Sequence, residues 1–585
     1  MYRNINKELA KIFREMAMIY EFIGKDEDKF RALTYQRVAN LLEDLPDDVR
    51  NYLISGKLEE IRGIGSHTIE KIKEYIQTGK ISKYEELKKL VPPDFLQLME
   101  IPGFGPKTLK RIYEELGITT KEELIKALKD GRIASLKGFG EKKVKNMLKG
   151  LELYEASQKR LILWEALEIG RSLVEKLKNL KEIKNIELAG SLRRKKETIG
   201  DIDILVSANQ QDREKIINYF VNLEDVKEIL AKGDTKASVL IKQRERQVDL
   251  RVINPDEWGS ALQYFTGSKE HNVHMRDIAK SKGLKVSEYG VFIASTGEKI
   301  AGETEEGVYE AIGMQWIPPE LREDRGEIEI ALEKKLPKLV ELSDIKGDLH
   351  VHSTWTDGMN TIQQIIEFVR ERYKYEYIAI TDHSKSVRVA HGLSEEDLLR
   401  QIEEIDKLNK LIGFDFIKKG IEVDILLDGS LDLSDEVLSK LDWVVASIHT
   451  HFNRDNTDRI IKACENPYVT AIGHPTGRIF GQREGYPVSD EILKVAKETG
   501  TALEINAQPN RMDLNEVWVK KGKEIGVKFV ISTDSHSFGN FAYMEIGVAI
   551  ARRGWCTKED ILNTKSWKEI QKFVNAKRKK FGVLK

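Results

Sequence analysis

Residues 188–206 read LAGSLRRKKETIGDIDILV. The end of this stretch has the β-branched character of a strand. It sets Asp201 and Asp203 two residues apart, so strand alternation puts both carboxylates on one face. A pair so placed can hold two divalent cations. Further on, RQVDLRVI (246–253) embeds Asp249 between apolar strand residues, where a merely structural acid would be costly. Three carboxylates on adjacent strands suit two-metal phosphoryl transfer, with cations roughly 4 Å apart. Around them IKNIELAG, DIDILVSA, KASVLIKQ and RQVDLRVI alternate with helix-like stretches, the pattern of an α/β or α+β domain.

Upstream of this domain, residues 1 to about 150 read as short amphipathic helices broken by glycine turns. Three segments repeat one pattern: EEIRGIGSHTIEKI (59–72), MEIPGFGPKTLKRI (99–112) and ASLKGFGEKKVKNML (134–148). Each has two glycines flanking an apolar residue and then a helix start, and each resembles a helix-hairpin-helix motif. The pairs Gly63 and Gly65, Gly103 and Gly105, and Gly138 and Gly140 permit tight turns that leave helix N-terminal amides free to meet a phosphate. Contacts of that kind bind DNA without reading its bases.

Beyond about residue 345 the pattern changes again. Strands such as YIAIT, VVASI, AIGH, ALEIN and FVIST alternate with helix-like segments, the signature of a parallel βα barrel, and most end in a polar residue. Eight of the eleven histidines fall here, in DLHVHSTWTDG, TDHS, VAHGL, SIHTH, IGHPT and TDSHS. Clustering after apolar strands signals a metal site. His350 and His352 share a strand face, and Asp357 follows in the next loop. His391 and His451 read as structural. Between the two catalytic-looking regions, the charged, proline-marked stretch from Pro318 through LREDRGEIEIALEKKLPKL reads as a linker.

Composition sets the outer bounds. The 585 residues exceed what one core organises, and 41% hydrophobic with 33% charged residues is globular composition. No apolar run approaches a membrane span and no signal-peptide core is evident, so no membrane association and a cytoplasmic location are expected. Cys464 and Cys556 are too few for a disulfide framework or a cysteine zinc site. A formal net charge of −1 hides basic stretches such as SLRRKKE. Arg552 and Arg553 read equally well as a solvated basic face.

The run GS…RR…GDID, then VDLRV, then ALQYFTGSKEHNVHMRDIAKSKG (261–283), resembles the family X DNA polymerases over about residues 1–317. The resemblance implies that Asp201, Asp203 and Asp249 are the metal carboxylates, binding Mg2+ or Mn2+. It implies Ser191, Arg194 and Gly200 around the incoming triphosphate, Tyr264, Phe265, Gly267 and Asn272 at the nucleotide's sugar and base, and Arg276 near the templating base. Two positions depart from animal relatives: Ile199 stands where a serine is frequent beside the triphosphate, and Gln247 where an arginine is. Lys71 occupies the place of a deoxyribose-phosphate lyase lysine, which forms a Schiff base with an opened abasic sugar, although a neighbouring lysine of those relatives is His67 here. A solvated or phosphate-binding lysine is the alternative.

The order HxH, DH, E, H, H and DxH resembles the polymerase and histidinol phosphatase (PHP) family over about 345–575. That resemblance implies a distorted TIM-like barrel with up to three Zn2+, Mn2+ or Fe ions. Its ligands map onto His350, His352, Asp357, His383, Glu422, His449, His474, Asp534 and His536.

The expected architecture is a multidomain α/β chain. It comprises a helical lyase-like region (1–85), a second helix-hairpin-helix region (86–150), an α+β nucleotidyltransferase palm (151–255), a thumb-like subdomain (256–318), a linker (319–344) and the barrel (345–585). The combined resemblance implies gap-filling DNA synthesis on gapped or primer-template DNA with dNTPs, plus metal-dependent 3′-5′ exonuclease activity, in base excision repair. Abasic-site endonuclease activity and a monomeric state are further expectations. Two other readings stay open: a template-independent transferase with a small-molecule phosphomonoesterase, and a DNA-binding scaffold with both centres inactive.

Overall fold

The computed structural model describes residues 5–584 except 44, 46, 47, 62, 100, 102 and 159. Residues up to Gln158 are helical, beginning with two long helices, Asn6–Ile23 and Asp26–Glu43, that pack along each other. The first ends at Gly24, whose left-handed conformation (φ 71°) lets its amide cap the Tyr20 carbonyl. Among the described residues this region has its own apolar core, from Leu9 to Leu151.

The three glycine segments fold alike. In each, the first glycine is left-handed, with φ of 109°, 91° and 83° at Gly63, Gly103 and Gly138. The apolar residue after it, Ile64, Phe104 or Phe139, is buried and donates its amide to the carbonyl three residues back, on Ile61, Ile101 or Leu136. The carbonyls of Gly65, Gly105 and Gly140 then accept the first amides of the following helix. A Cβ on any of these second glycines would meet nothing within 4 Å, so each hairpin tip is open on its outer side.

The palm sheet comprises β1 (Asn185–Leu188), β2 (Ile202–Ser207), β3 (Val226–Lys232), β4 (Lys236–Ile241) and β5 (Gln247–Ile253), in the order β1-β2-β5-β4-β3. Only β2 and β5 run parallel. Helices Leu163–Leu177 and Arg213–Val221 pack against this sheet. The thumb-like region follows, with helices Trp258–Thr266 and Lys269–Ser281 and a small antiparallel sheet of β6 (Leu284–Ser287), β7 (Gly290–Ile293) and β8 (Lys299–Ala301).

The stretch 319–344, expected to be a linker, is folded. It carries the helix Glu327–Leu332 and buries Leu321, Ile328, Ala331, Leu339 and Val340. Three of its charges, Glu320, Arg322 and Glu323, are taken up in ion pairs with other parts of the chain.

The C-terminal part is a barrel of seven parallel strands in sequential order: β9 (Gly347–Val351), β10 (Tyr377–Ile380), β11 (Ile417–Asp424), β12 (Trp443–Ser447), β13 (Ala471–Ile472), β14 (Ala502–Asn506) and β15 (Phe529–Ser532). A parallel bridge between Val351 and Ser535 brings the last strand back to the first. All seven strands are buried almost throughout, as expected of a parallel sheet covered by helices. Apolar packing runs without a break from the palm into the barrel's shell, and the rings of Trp164 and Tyr543 meet edge-on at 5.1 Å across that boundary. No helix among the described residues is long and apolar enough to cross a membrane.

Candidate functional site: two acidic and histidine-rich centres

In the palm, β2 and β5 lie in register with Asp203 directly beside Asp249. Asp201 sits in the bend just before β2 rather than on the strand, and it is exposed. Burial, then the charges of Asp201 and Asp249, push the Asp203 carboxyl up to about 6. Asp249 is 8% exposed. Burial opposes its charge, but Ser238, Gln247 (3.0 Å) and Lys236 (2.9 Å) hold it below the usual carboxylate range. Gln247, at the position where animal relatives often carry arginine, thus braces this acid. Converging carboxylates of this kind, one resisting ionisation, are the donor set that divalent cations satisfy.

Ser191 and Arg194 lie on and just after the short helix Gly190–Arg193, which packs against β2 and the helix Trp258–Thr266. Gly190 is left-handed (φ 58°), and a Cβ there would fall 2.2 Å from Asp203 Oδ2, so only glycine lets this turn approach the acid. Arg194 donates from Nη1 to the Thr266 carbonyl (2.5 Å) and from Nε to Glu323 (3.1 Å). Gly200 faces Arg160, and Gly267 is left-handed beside the Arg194 guanidinium. Tyr264 and Phe265 are half-buried with their rings at 5.1 Å, and Arg251 lies over Phe265 at 4.4 Å. Asn272 is held by Gln263 (2.8 Å) and donates to the Tyr264 carbonyl (2.8 Å), while Arg276 is exposed one helical turn beyond. Sequence reasoning missed the buried network that fixes the thumb to this face: Glu305 accepts from Arg193 (2.7 Å), Arg322 (2.6 Å) and Trp316 (3.0 Å).

Lys71 is half-buried on helix Ser66–Thr78, and Nζ donates to the His67 carbonyl at 3.1 Å. Burial lowers its ammonium below the usual lysine range. It stands far along the chain from the palm carboxylates and joins neither centre.

All nine histidine, aspartate and glutamate positions singled out in the barrel gather at the C-terminal ends of its strands. Three overlapping groups have ligand atoms within 4.8 Å of one another: His352, Asp357, His383 and His536; His350, His352 and Glu422; and His383, Glu422 and His449. His474 Nε2 lies 3.0 Å from Glu422, and Asp534 lies 3.1 Å from His352 and 3.8 Å from His350. His391 and His451 are exposed outside the cluster.

The cluster's chemistry fits bound metal. Buried nitrogens of His350, His352 and His383 and one oxygen of Glu422 have no hydrogen-bond partner although they face one another, and His474 Nδ1 is likewise buried and unpartnered. Unmet donors and acceptors of that density are costly in a closed interior and are what cations satisfy. Burial lowers His352 to about 3, helped by His536 and His383, whereas His383 rises to about 10 because Glu422 and Asp357 outweigh its burial.

Several supporting residues were not foreseen. Glu504, in ALEIN, accepts from His350 Nδ1 at 2.7 Å and from the His474 amide at 2.5 Å. Asp424 lies 3.1 Å from His449 Nδ1. Asp382 braces the loop after β9 through Ser353 (2.5 Å). Arg511 approaches Asp534 at 3.8 Å with its Nη1 buried and unpartnered, a cation facing the cluster. Glu504 carried the signal that betrayed Asp249, an acid between apolar strand residues.

Comparison with known proteins agrees with this architecture. Residues 163–252 match the model for the DNA polymerase beta palm, 261–323 the DNA polymerase beta thumb, 4–81 a helix-hairpin-helix domain, and 55–117 and 95–152 a SAM-like helix-hairpin-helix tandem. The fold and sites therefore define a DNA polymerase beta-type nucleotidyltransferase joined to a histidine-rich barrel. The chain is 38% identical over 575 residues to the DNA polymerase/3′-5′ exonuclease PolX of Bacillus subtilis (strain 168), covering 97% of this chain and 99% of that protein. The chain belongs to the PolX family of family X DNA polymerases. A protein named probable phosphatase from Thermoanaerobacter sp. (strain X514) is 33% identical over 251 residues, 40% of this chain and 96% of its own length. DNA polymerase lambda of Rattus norvegicus is 26% identical over 346 residues, 55% of this chain and 56% of that protein.

Proposed function

We propose that this chain is a DNA-directed DNA polymerase that fills short gaps during repair and trims 3′ ends with a metal-dependent 3′-5′ exonuclease in its barrel. The observation that carries the reading is the pairing of two complete centres in one chain: the Asp203–Asp249 register beside Asp201, and the nine-residue cluster at the mouth of the barrel. In the palm, Asp201, Asp203 and Asp249 hold Mg2+ or Mn2+. Ser191, Arg194 and Gly200 receive the triphosphate. Tyr264, Phe265, Gly267 and Asn272 contact the nucleotide, and Arg276 lies toward the template. The hairpin glycines bring backbone amides to DNA phosphates independently of sequence.

In the barrel, His350, His352, Asp357, His383, Glu422, His449, His474, Asp534 and His536 hold up to three Zn2+, Mn2+ or Fe ions. Metal held by these residues would supply Lewis acidity for activating water and positive charge for the phosphoryl group under attack. Glu504 and Asp424 fix the imidazoles that face them, and Arg511 offers its free guanidinium edge to the phosphate. The division of the chain at residues 85, 150, 255, 318 and 344 follows these roles, with 319–344 a folded connector. Lyase chemistry at Lys71, abasic-site cleavage, a monomeric state and a cytoplasmic location complete the proposal. A second reading of the barrel, hydrolysis of a small phosphomonoester, is favoured by its 33% identity to the probable phosphatase.

The test is incubation with a 5′-labelled primer in a one-nucleotide gap, with Mg2+ or Mn2+, with and without dNTPs. Extension with dNTPs and 3′ shortening without them supports both centres. Extension without shortening transfers the barrel to the phosphomonoester reading, and shortening without extension removes the polymerase reading.

A further inference from the structure

The tandem arginines Arg552 and Arg553 do not form a solvated face. Arg553, at the end of helix Met544–Arg553 in the barrel, is 3% exposed. Its Nη1 donates to the Arg194 carbonyl at 2.6 Å and to Glu323 at 3.0 Å, and its Nη2 donates to Glu516 at 3.0 Å. Glu323, in the connector, accepts on the same Oε1 from Arg194 Nε at 3.1 Å. Arg552 ties the same helix to Glu320 (2.8 Å) and to the Val340 carbonyl (2.9 Å). One carboxylate of the connector therefore sits between a guanidinium of the palm and a guanidinium of the barrel.

We infer that Glu323 and Arg553 are positioning residues for Arg194, so that the docked barrel completes the triphosphate pocket of the palm. This rests on the reading of Arg194 as a triphosphate contact. Glu323 and the Thr266 carbonyl engage Nε and Nη1 of Arg194, which fixes the plane of its guanidinium and leaves Nη2 to meet an anion. Fixing a planar fork before the ligand arrives removes the entropy cost of ordering it on binding. Arg553 has a second effect. A carboxylate paired with Arg194 alone would cancel its charge, whereas Glu323 is shared with Arg553 and has Lys196 at 3.9 Å, so the group keeps net positive charge toward a triphosphate. Arg553 also braces the Arg194 backbone through its carbonyl, and Glu516 and Arg325 hold Arg553 and its partner in turn (3.7 Å).

The experiment measures dNTP KM and kcat on a one-nucleotide gap, and 3′ hydrolysis in parallel, for Glu323→Gln, Arg553→Ala, Arg553→Lys and Arg194→Ala, alone and in pairs with Arg194→Ala. Glu323→Gln and Arg553→Ala are each expected to raise KM about tenfold, as one charge-assisted hydrogen bond lost would do, with kcat within about twofold. Arg553→Lys recovers part of the loss, 3′ hydrolysis is unchanged, and neither substitution raises KM further when Arg194 is already alanine. If Arg194→Ala leaves KM unchanged, the triphosphate assignment fails. If Arg194→Ala raises KM but Glu323→Gln and Arg553→Ala do not, or if their effects add to it in full, the assignment stands and the positioning inference is overturned. A variant that loses extension and hydrolysis together has lost its fold, and the inference is then decided by the milder Arg553→Lys through the same KM and additivity criteria.

Discussion

Asp203 on β2 and Asp249 on β5 are direct partners across the only parallel strand pair of the palm sheet. The two acids come from segments separated by an antiparallel excursion through β3 and β4, so the carboxylate pair is made by the sheet and not by a local motif.

Asp249→Ala therefore removes one side of this pair without touching the barrel. Nucleotide addition is expected to fall at least about a thousandfold, while 3′ hydrolysis continues at its normal rate. Primer extension and shortening assays on the same preparation read both, and retained extension would show that the centre lies elsewhere.

Gly190→Ala reaches the same centre from behind. A Cβ at 2.2 Å from Asp203 Oδ2, on a backbone at φ 58°, must displace the acid or the turn. Synthesis is expected to drop about a hundredfold or more, with a melting temperature lowered by a few degrees. Normal extension by a folded alanine variant would contradict the close approach.

His350→Ala acts only on the barrel. It deletes an imidazole that faces Glu422 at 3.4 Å and Glu504 at 2.7 Å, and strands both carboxylates in a buried site. Loss of 3′ hydrolysis with synthesis largely intact is the expected outcome, and shortening at the wild-type rate would exclude His350 from the centre.

Glu504→Gln tests support rather than ligation. Its carboxylate fixes His350 through Nδ1 and the His474 backbone amide. Metal affinity, measured by titration against a competing chelator, is expected to fall by about ten- to a hundredfold. An unchanged binding curve would reduce Glu504 to a packing residue.

The connector's acids make a pH prediction. Although burial opposes it, Arg552 holds the Glu320 carboxyl below its ordinary value of 4.5. A carboxyl depressed in the folded state adds stability above its unfolded value and loses it as pH falls through the folded one. Glu320→Gln is therefore expected to melt below the wild type at pH ~7, with the gap closing as pH falls below the ordinary carboxyl value. A gap that persists at acid pH would mean that the Arg552 pair contributes nothing.

Much of this was legible from sequence where chemistry and periodicity coincide. Apolar strands ending in histidine or aspartate located β9, β12, β13 and β15, and DIDILV and VDLRV located β2 and β5. The three short thumb strands β6, β7 and β8 were not read at all, and in the palm and barrel sheets two strands escaped. IKKGIEVD hides β11 behind Lys418 and Lys419, yet Lys418 is 1% exposed because its ammonium reaches the Asp415 carboxylate at 2.6 Å. The edge strand β3, VKEILAK, is mostly exposed and so lacks the alternation that a buried face imposes. In the connector, composition reports charge but not partners. Arg553 and Glu323 meet across more than two hundred positions of chain, a pairing that only the folded structure specifies.

The bridge between Val351 and Ser535 joins the first barrel strand to the segment after the last, where Asp534 and His536 reside. During synthesis on the ribosome, the palm carboxylates emerge and can assemble long before that closing segment exists. The histidine cluster, by contrast, is complete only once Asp534 and His536, which face His352 and Asp357, have been translated. A growing chain thus pairs its palm carboxylates before its barrel cluster is complete, and any copy truncated within the barrel's last strand would lack Asp534, His536 and also the Arg553 that braces Arg194.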